Sequence, residues 1–553
     1  MESNFMIIKF LYIIGLFFLG LSFLIPIDGT TWETFFSEYL VFLALFFLVF
    51  SFFCNEKKIL PKLILPFFII SFIPICQFFF GQIYFWTTAV ISFFYLISFF
   101  VAVIFGYNCE LSSKFKLMTC MCIVLTISAV VSSIIAISQW LNINISYFPN
   151  LSLIGNRAYA NFGQPNHLST FLFIGSIATW YLYEKNKIES YYAIIIIFLL
   201  MFGIVLTQSR TAWVTSFAIL ILYFYLKKTS SFKIKARNLI LFFGFYFLLV
   251  FSLNSINYFV DQVLNFNVIK TDNITNRITS GYERLEIWKQ SWYLILEQPW
   301  FGYGWNQVSV SIVEKIDYFY LNSWYSSSHN IILDLFLWVG LPLGLTIILF
   351  FVLLIYKLII NSHTKESNLA LLILVPIVIH ANLEYPLFYS YFILPLGMFI
   401  GISLVDIKAI KYFNLNKCYV YLYSFFFCIF VILTWTEYLK LLEDKSKAKT
   451  IALNRIEGKH SNFYRINSNY YLLTSLKIQV DWIALDSREK YTKIDLEKYE
   501  NFVKCNPSKY NLFKIAQIYF YNNDLEKAQK YLKIFNKLFD VNFTLADLVK
   551  VRN

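Results

Sequence analysis

Charge is what this chain has least of. Asp, Glu, Lys and Arg make up 14% of its 553 residues, 58% are hydrophobic, and the mean hydropathy is +0.61. A soluble chain of this length needs far more charged surface, so a water-soluble globular enzyme is excluded. Histidine is scarce, with 5 residues. Most of the 8 cysteines fall in apolar runs or basic loops, and Cys505 alone lies in the parts read below as facing outside. That excludes a disulfide framework, and no Cys/His spacing suits zinc. There is no G-x-S-x-G elbow, Walker loop or H-E-x-x-H segment, and no internal repeat across the apolar runs. The acidic set Asp272, Glu283 and Glu286 reads as a solvated face rather than a metal site. A net charge of +13 would suit nucleic acid. Most Lys and Arg flank apolar runs, however, so no nucleic-acid partner is expected.

Apolar length is abundant. Runs near 6–25, 39–54, 63–80, 84–105, 117–139, 168–183, 191–206, 211–226, 238–256, 331–357, 368–382, 386–404 and 418–436 approach the ~20 residues that cross a hydrocarbon core. The 62 Phe and 39 Tyr suit bilayer helices with interfacial tyrosines. The expected fold is an all-α polytopic membrane protein with about thirteen transmembrane helices. The first run resembles a signal anchor without a small-residue cleavage site.

Every second loop is basic. Lys57, Lys58 and Lys62 share one, followed by Lys114 and Lys116, and then by Lys185 and Lys187. The set of Lys227, Lys228, Lys233, Lys235 and Arg237 comes next, before Lys357 and Lys365, and Lys408, Lys411 and Lys417. The alternate short loops are poor in Lys and Arg, and the first carries Asp28, Glu33 and Glu38. Positive charge stays inside, so the N-terminus is expected in the cytoplasm and the C-terminal tail outside. A transmembrane part over 1–436 would carry outside loops near 140–167 and 257–330, and a tail over 440–553 would be a separate helical domain.

In the tail, the apolar residues of 508–521 predict a helix. Asp524 is placed to cap a second one, with Leu525, Ala528, Leu532, Phe535 and Leu538 on one face. The pair reads either as a tetratricopeptide-like unit or as a plain helical cap. In the long loop, Leu285, Trp288, Trp292 and Ile295 recur at helical spacing over Gly281–Glu297. Such a helix is expected to lie in the membrane interface, ending at Gln298-Pro299-Trp300-Phe301-Gly302-Tyr303-Gly304-Trp305.

The informative charges break the topology pattern. Arg157, Arg210 and Arg284 fall on the outer side near span ends, where positive charge is disfavoured. Headgroup snorkelling explains any one of them. Three near one face suggest a shared anionic ligand, because guanidinium presents a planar fork of donors to phosphate oxygens. His167, His329 and His380 also map near the outer face, whereas His363 lies in a basic loop and His460 in the tail. His329 stands before Asn330 at a helix start, where it could deprotonate or position a hydroxyl, or sit as a satisfied interfacial histidine. His380 lies within an apolar run, as a buried residue does. Glu384 follows it as a carboxylate at the membrane edge, a place where carboxylates commonly pair with Arg.

Several segments carry a resemblance. Asn156-Arg157-Ala158-Tyr159-Ala160-Asn161-Phe162-Gly163-Gln164-Pro165-Asn166-His167-Leu168-Ser169-Thr170 resembles the signature of PglL-type bacterial protein O-oligosaccharyltransferases. Thr207-Gln208-Ser209-Arg210 is similar to the Ser-Arg segment of the wider O-antigen ligase superfamily. Arg284 with Trp288, followed by Pro299 to Gly304, resembles that superfamily's long periplasmic loop. Ser328-His329-Asn330, leading to Leu333 and Gly340, resembles its His-Asn motif. His380 to Pro386 looks like the H-x-x-x-E-Y-P stretch of protein ligases. The likeness runs from about 150 to 400, and the QPNH segment is its sharpest part. One departure is Trp338, which stands where the family often carries Glu.

The resemblance implies a GT-C-like ligase in the bacterial inner membrane with its site on the periplasmic side. The donor would be an oligosaccharide on undecaprenyl pyrophosphate, and the acceptor a Ser or Thr hydroxyl of a periplasmic protein such as pilin. No cofactor or metal is implied. His329, Arg284 and Arg210 would be catalytic. Arg157, Gln164, Asn166, His167, His380 and Glu384 would line the substrates. An O-antigen ligase acting on lipid A-core, or a glycan polymerase, would share this chemistry. A flippase would instead place its arginines along a lumen, and a sensor or scaffold would leave them and His329 unexplained.

Overall fold

The computed structural model describes residues 2–27, 31–53, 58–112, 116–143, 153–264, 266–269, 282–317, 321–408, 410–457 and 468–550. Lys57, Lys114, Asp28, Asp272 and His460 lie outside them. The described chain is helical apart from one antiparallel pair, β1 (Lys58–Pro61) with β2 (Tyr412–Leu415). In order the helices are α1 (Glu2–Ser22), α2 (Phe35–Phe53), α3 (Leu65–Ser71), α4 (Ile73–Phe79), α5 (Trp86–Ser112), α6 (Leu117–Trp140), α7 (Pro165–Glu184), α8 (Ser190–Thr207), α9 (Arg210–Leu226) and α10 (Ala236–Leu264). There follow α11 (Tyr282–Glu297), α12 (Val308–Glu314), α13 (Ile331–Ile360), α14 (Lys365–Ala381), α15 (Ser390–Leu404) and α16 (Lys417–Ile456). The tail adds α17 (Thr474–Ala484), α18 (Lys493–Cys505), α19 (Lys509–Tyr521), α20 (Leu525–Phe539) and α21 (Asp547–Lys550).

Each of the expected apolar runs falls on helix. Among the described residues, eight helices are long and apolar enough to cross a membrane, and Met6–Ser22, Arg210–Leu226 and Ser390–Leu404 are shorter apolar helices. The chain is thus an all-α, multi-pass membrane protein. The helix α7 is less apolar for a physical reason. Every side chain from Asn166 to Leu182 is buried, so it meets protein all round and can carry Ser, Thr, Asn and His where lipid would forbid them.

The chain forms two compact units. The first holds 1–69, 95–281 and 350–428, with α7 packed against α6, α8 and α14. Its basic loops meet one another. The Glu184 carboxylate accepts from Lys365 Nζ at 2.8 Å and from the Lys233 backbone at 2.8 Å. Asp406 accepts the backbone N–H groups of His363 and Thr364, each at 2.8 Å. Glu38, expected in a loop, instead sits in the first turn of α2, where the helix dipole favours an acid. It is buried and accepts from Trp32, Thr34, Tyr95 and the Ser390 backbone.

The second unit holds 70–94, 282–349 and 429–553. In it α13 is broken at Gly340, with φ 78° and ψ 171°, followed by Pro342. The tail hairpin forms as its pattern predicts. Ser508 caps α19 and Asp524 caps α20, each side chain accepting the backbone N–H three residues on. Glu437 accepts the N–H groups of Tyr471, Leu472 and Leu473. The tail is fastened to the loop around α12. Lys533 and Lys537 reach Asp317 at 2.7 and 2.6 Å and hold its carboxyl below the usual range, chiefly through the Lys533 bond. Ser309 Oγ donates to Cys505 O at 2.9 Å.

Candidate active site

The motif residues form two constellations, one in each unit. In the first unit the loop before α7 is held by Gln139, whose Oε1 accepts the Tyr159 and Ala160 N–H groups at 3.2 and 2.8 Å and whose Nε2 donates to Ala160 O at 3.1 Å. This sets Arg157 over the end of α8. Its Nε donates to Thr207 O at 2.9 Å and a terminal nitrogen to Asn166 Oδ1 at 3.3 Å. Pro165 opens α7, a position where its missing N–H costs nothing. Gln164 precedes it in extended conformation, half-buried.

Asn166 is the hub. Its Oδ1 accepts from Arg157 and from Ser209 Oγ, the latter at 2.7 Å, and its Nδ2 donates to Glu384 Oε1 at 3.0 Å. Both ends of this amide are thus engaged, joining the start of α7 to the loop before it, to the α8–α9 link and to the segment after α14. The α8–α9 link is correspondingly tight. Gln208 takes φ 47° at the end of α8, Ser209 turns back to the extended region, and Arg210 starts α9 half-buried. Arg210 therefore follows directly on the residue that Asn166 grips.

At the next position of α7, His167 is buried beside the equally buried His380, with ring centroids 5.2 Å apart. Tyr389 lies 4.8 Å from the His167 ring, and Thr170 Oγ1 pairs with His380 Nδ1 at 2.9 Å. The structure thus gathers Arg157, Asn166, His167, His380 and Glu384 with the Ser209–Arg210 turn.

The second unit holds the other two residues, Arg284 and His329. Arg284 is half-buried in the first turn of α11. His329 precedes α13 in the left-handed region, with φ 56°. That turn is fixed by a carboxylate that the sequence reading passed over. Asp334 is 1% exposed. Its Oδ2 accepts from Ser327 Oγ at 2.6 Å and its Oδ1 from Ser328 N at 2.7 Å, while Ser327 Oγ accepts the His329 N–H at 3.1 Å. Asn330 caps α13, its Oδ1 accepting from Ile332 and Leu333. Trp288 Nε1 donates to Ser328 O at 3.1 Å, tying α11 to the same turn. Trp338 packs against Trp305 in a tilted arrangement, with centroids 4.8 Å apart, a packing role in place of the family's Glu.

Arginines at helix starts suit phosphate, and a histidine on a rigid turn suits a hydroxyl. Among the described residues no group of three or more His, Cys, Asp and Glu is arranged to hold a metal. Sequence reasoning missed Asp334, Ser209 as a partner, and Gln139. The signal for Asp334 was present, an acid inside the apolar run 331–357.

Three family models match the chain. One described as O-Antigen ligase covers residues 195–349, and one described as Protein glycosylation ligase covers 158–183. The third, described as Virulence factor membrane-bound polymerase, C-terminal, covers 368–551. Along its length the chain is similar to the General O-oligosaccharyltransferase of Acinetobacter baylyi. The two are 32% identical over 534 residues, 96% of this chain and 92% of the relative. It is also similar to the ComP-specific O-oligosaccharyltransferase of the same organism, 32% identical over 508 residues, 90% of each.

Proposed function

Because the chain belongs to the O-oligosaccharyltransferase family and is a glycosyltransferase of protein O-glycosylation, we propose that it moves a whole oligosaccharide from undecaprenyl pyrophosphate to Ser or Thr hydroxyls of a periplasmic protein such as a pilin. It does so at the outer face of the inner membrane, in a GT-C-like architecture of about thirteen spans. The N-terminus lies in the cytoplasm. The tail, 440–553, forms a periplasmic helical domain beside the transmembrane part, 1–436.

The observation that carries this reading is the buried cluster around Asn166. In a helical unit made mostly of apolar side chains, it joins residues from three separate motif segments, Arg157, Ser209 and Glu384. Burying that much polarity is costly unless each group is paired and put to use. The meeting of the basic loops at Glu184 and Asp406 supports the alternation of inside and outside loops.

In the reaction, Arg210 and Arg284, with Arg157 in support, neutralise the pyrophosphate oxygens. His329 orients the acceptor hydroxyl or takes its proton. The hydroxyl oxygen bonds to the anomeric carbon opposite the phosphate, the carbon–oxygen bond to phosphate breaks, and its electron pair leaves on undecaprenyl pyrophosphate. The configuration inverts. Pyrophosphate is a good leaving group, so the protein supplies position and charge. Gln164, Asn166 and His167 shape the substrate site, and Glu384 and His380 brace it.

The test is a cell-free assay with purified enzyme, a lipid-linked oligosaccharide and a pilin-like acceptor. Wild type should add the glycan mass to the acceptor, and His329→Ala and Arg284→Ala should not. Transfer to lipid A-core with none to protein would move the chain to the O-antigen ligase branch.

A further inference from the structure

The segment from Pro299 to Trp305 and the break in α13 are complementary, bond for bond. In a continuous helix each carbonyl takes the N–H four residues on. At the Gly340 break two carbonyls lose that partner. The Leu341 N–H donates to Pro299 O at 2.7 Å, which releases Leu337 O. Residue 342 is proline and has no N–H to give Trp338 O. The loop supplies the replacements. Tyr303 N–H donates to Leu337 O at 2.7 Å and Gly304 N–H to Trp338 O at 3.1 Å.

A third donor comes from far off in the sequence. Gln77, in α4, is 6% exposed. Its Nε2 donates to Trp338 O at 2.8 Å, and its Oε1 accepts the Trp305 N–H at 3.0 Å. One amide therefore clamps both sides of the joint. A buried glutamine near the end of the apolar run 63–80 is expensive unless it does something of this kind.

The joint leaves no room for side chains. A Cβ on Gly302 would lie 2.5 Å from Leu337 O, and one on Gly340 would lie 2.3 Å from Trp300 O. Both glycines also have positive φ, 68° and 78°, so only glycine fits either place.

Two helices meet here. Tyr303 OH donates to Leu294 O in the last turn of α11, at 3.0 Å, and α11 carries Arg284. The part of α13 before the break begins at Ile331, two residues after His329. A second tie joins the middle of α11 to the turn before α13, where Trp288 Nε1 donates to Ser328 O.

We propose that Gln77 is a positioning residue for glycan transfer. Through the Gly302–Gly340 joint it fixes the helix that follows His329 against the helix that bears Arg284. The proposal rests on the reading above, that these two residues serve the reaction.

The experiment compares wild type, Gln77→Leu, Gln77→Glu, Gly302→Ala and His329→Ala as full-length purified enzymes, with steady-state transfer to an acceptor peptide. Gln77→Leu should lower kcat by about 10- to 100-fold, as small misplacements of reacting groups do, with both KM values little changed. Gln77→Glu keeps the acceptor for Trp305 and donates to Trp338 O only when protonated, so its rate relative to wild type should rise as pH falls. Amide exchange at Tyr303 and Gly304 should quicken in Gln77→Leu and Gly302→Ala. If Gln77→Leu keeps the wild-type kcat while His329→Ala loses transfer, the joint has no positioning role and the functional reading stands. If His329→Ala transfers normally, that reading falls and takes the proposal with it. Should Gln77→Leu fail to fold, Gln77→Glu decides, and a rate ratio independent of pH overturns the proposal.

Discussion

Asn166 and Glu384, 218 positions apart, meet at 3.0 Å, the side-chain amide donating to the carboxylate. Both are nearly buried, at 7% and 5% exposure. The contact leaves the Asn166 oxygen facing Ser209 and Arg157, so Glu384 decides which way the amide points. Glu384→Gln retains a carbonyl oxygen for that bond and should transfer glycan at close to the wild-type rate. Glu384→Ala strands a buried N–H donor at a cost of about 1–3 kcal/mol and should cut the initial rate roughly tenfold or more, as misplaced binding groups do. If Gln and Ala variants lose activity equally, the carboxylate acts by its charge and not by orienting Asn166.

Asp334 does for His329 what Glu384 does for Asn166. Its two oxygens hold Ser327 and the Ser328 backbone, and Ser327 in turn takes the His329 N–H. A non-glycine residue at φ 56° is held there by its surroundings. Asp334→Ala should therefore release the turn and lower kcat by about 10- to 100-fold, although His329 itself is untouched. Steady-state assays on folded, detergent-purified variant would measure this, and an unchanged kcat would rule out the Asp334 brace.

The sequence was most legible where one physical force dominates. Apolar length marked every run that became a helix, and capping chemistry placed Asp524 at the start of α20. The arginine and histidine candidates were visible because charge near lipid is expensive. The partners that hold them were not. Ser209 and Asn166 lie 43 positions apart and look like ordinary polar residues. Asp334 hid behind the neighbouring His329, and Gln77 within an apolar run. Helical periodicity reports which face is apolar, and says nothing of which distant carbonyl a kink will release.

The orientation proposed from loop charge can be read chemically. Ile494 in the tail is 80% exposed, and Lys187 is exposed in a basic loop. In intact spheroplasts, Ile494→Cys should react with a membrane-impermeant maleimide above the level of the unsubstituted chain. Lys187→Cys should react only after the membrane is opened. Labelling of position 187 in intact spheroplasts would invert the assignment.

Lys514 gives the tail a pH dependence of its own. The ammonium is buried between Trp482 and Tyr510, donating to Trp482 O at 2.6 Å and to Tyr510 OH at 3.1 Å. Burial, aided by the Arg455 charge, pushes its pKa down to about 7 from 10.5. Below about pH 7 both the folded and unfolded tail hold the proton, and the cost of burying the cation is fully felt. Between pH 7 and 10.5 the unfolded chain keeps a proton that the folded one has released, so stability rises with pH, by at most about 1.4 kcal/mol per unit. The buried Cys505 thiol, pushed up to about 12 from 9.0, works the other way from near pH 9, so the window to read is pH 7 to 8.5. Hydrogen-exchange protection of α19 in the full-length protein, corrected for intrinsic exchange, should increase across that window. In Lys514→Met the increase should vanish. Protection that falls with pH in the wild type, or rises equally in the variant, would mean that Lys514 keeps its proton in the folded tail.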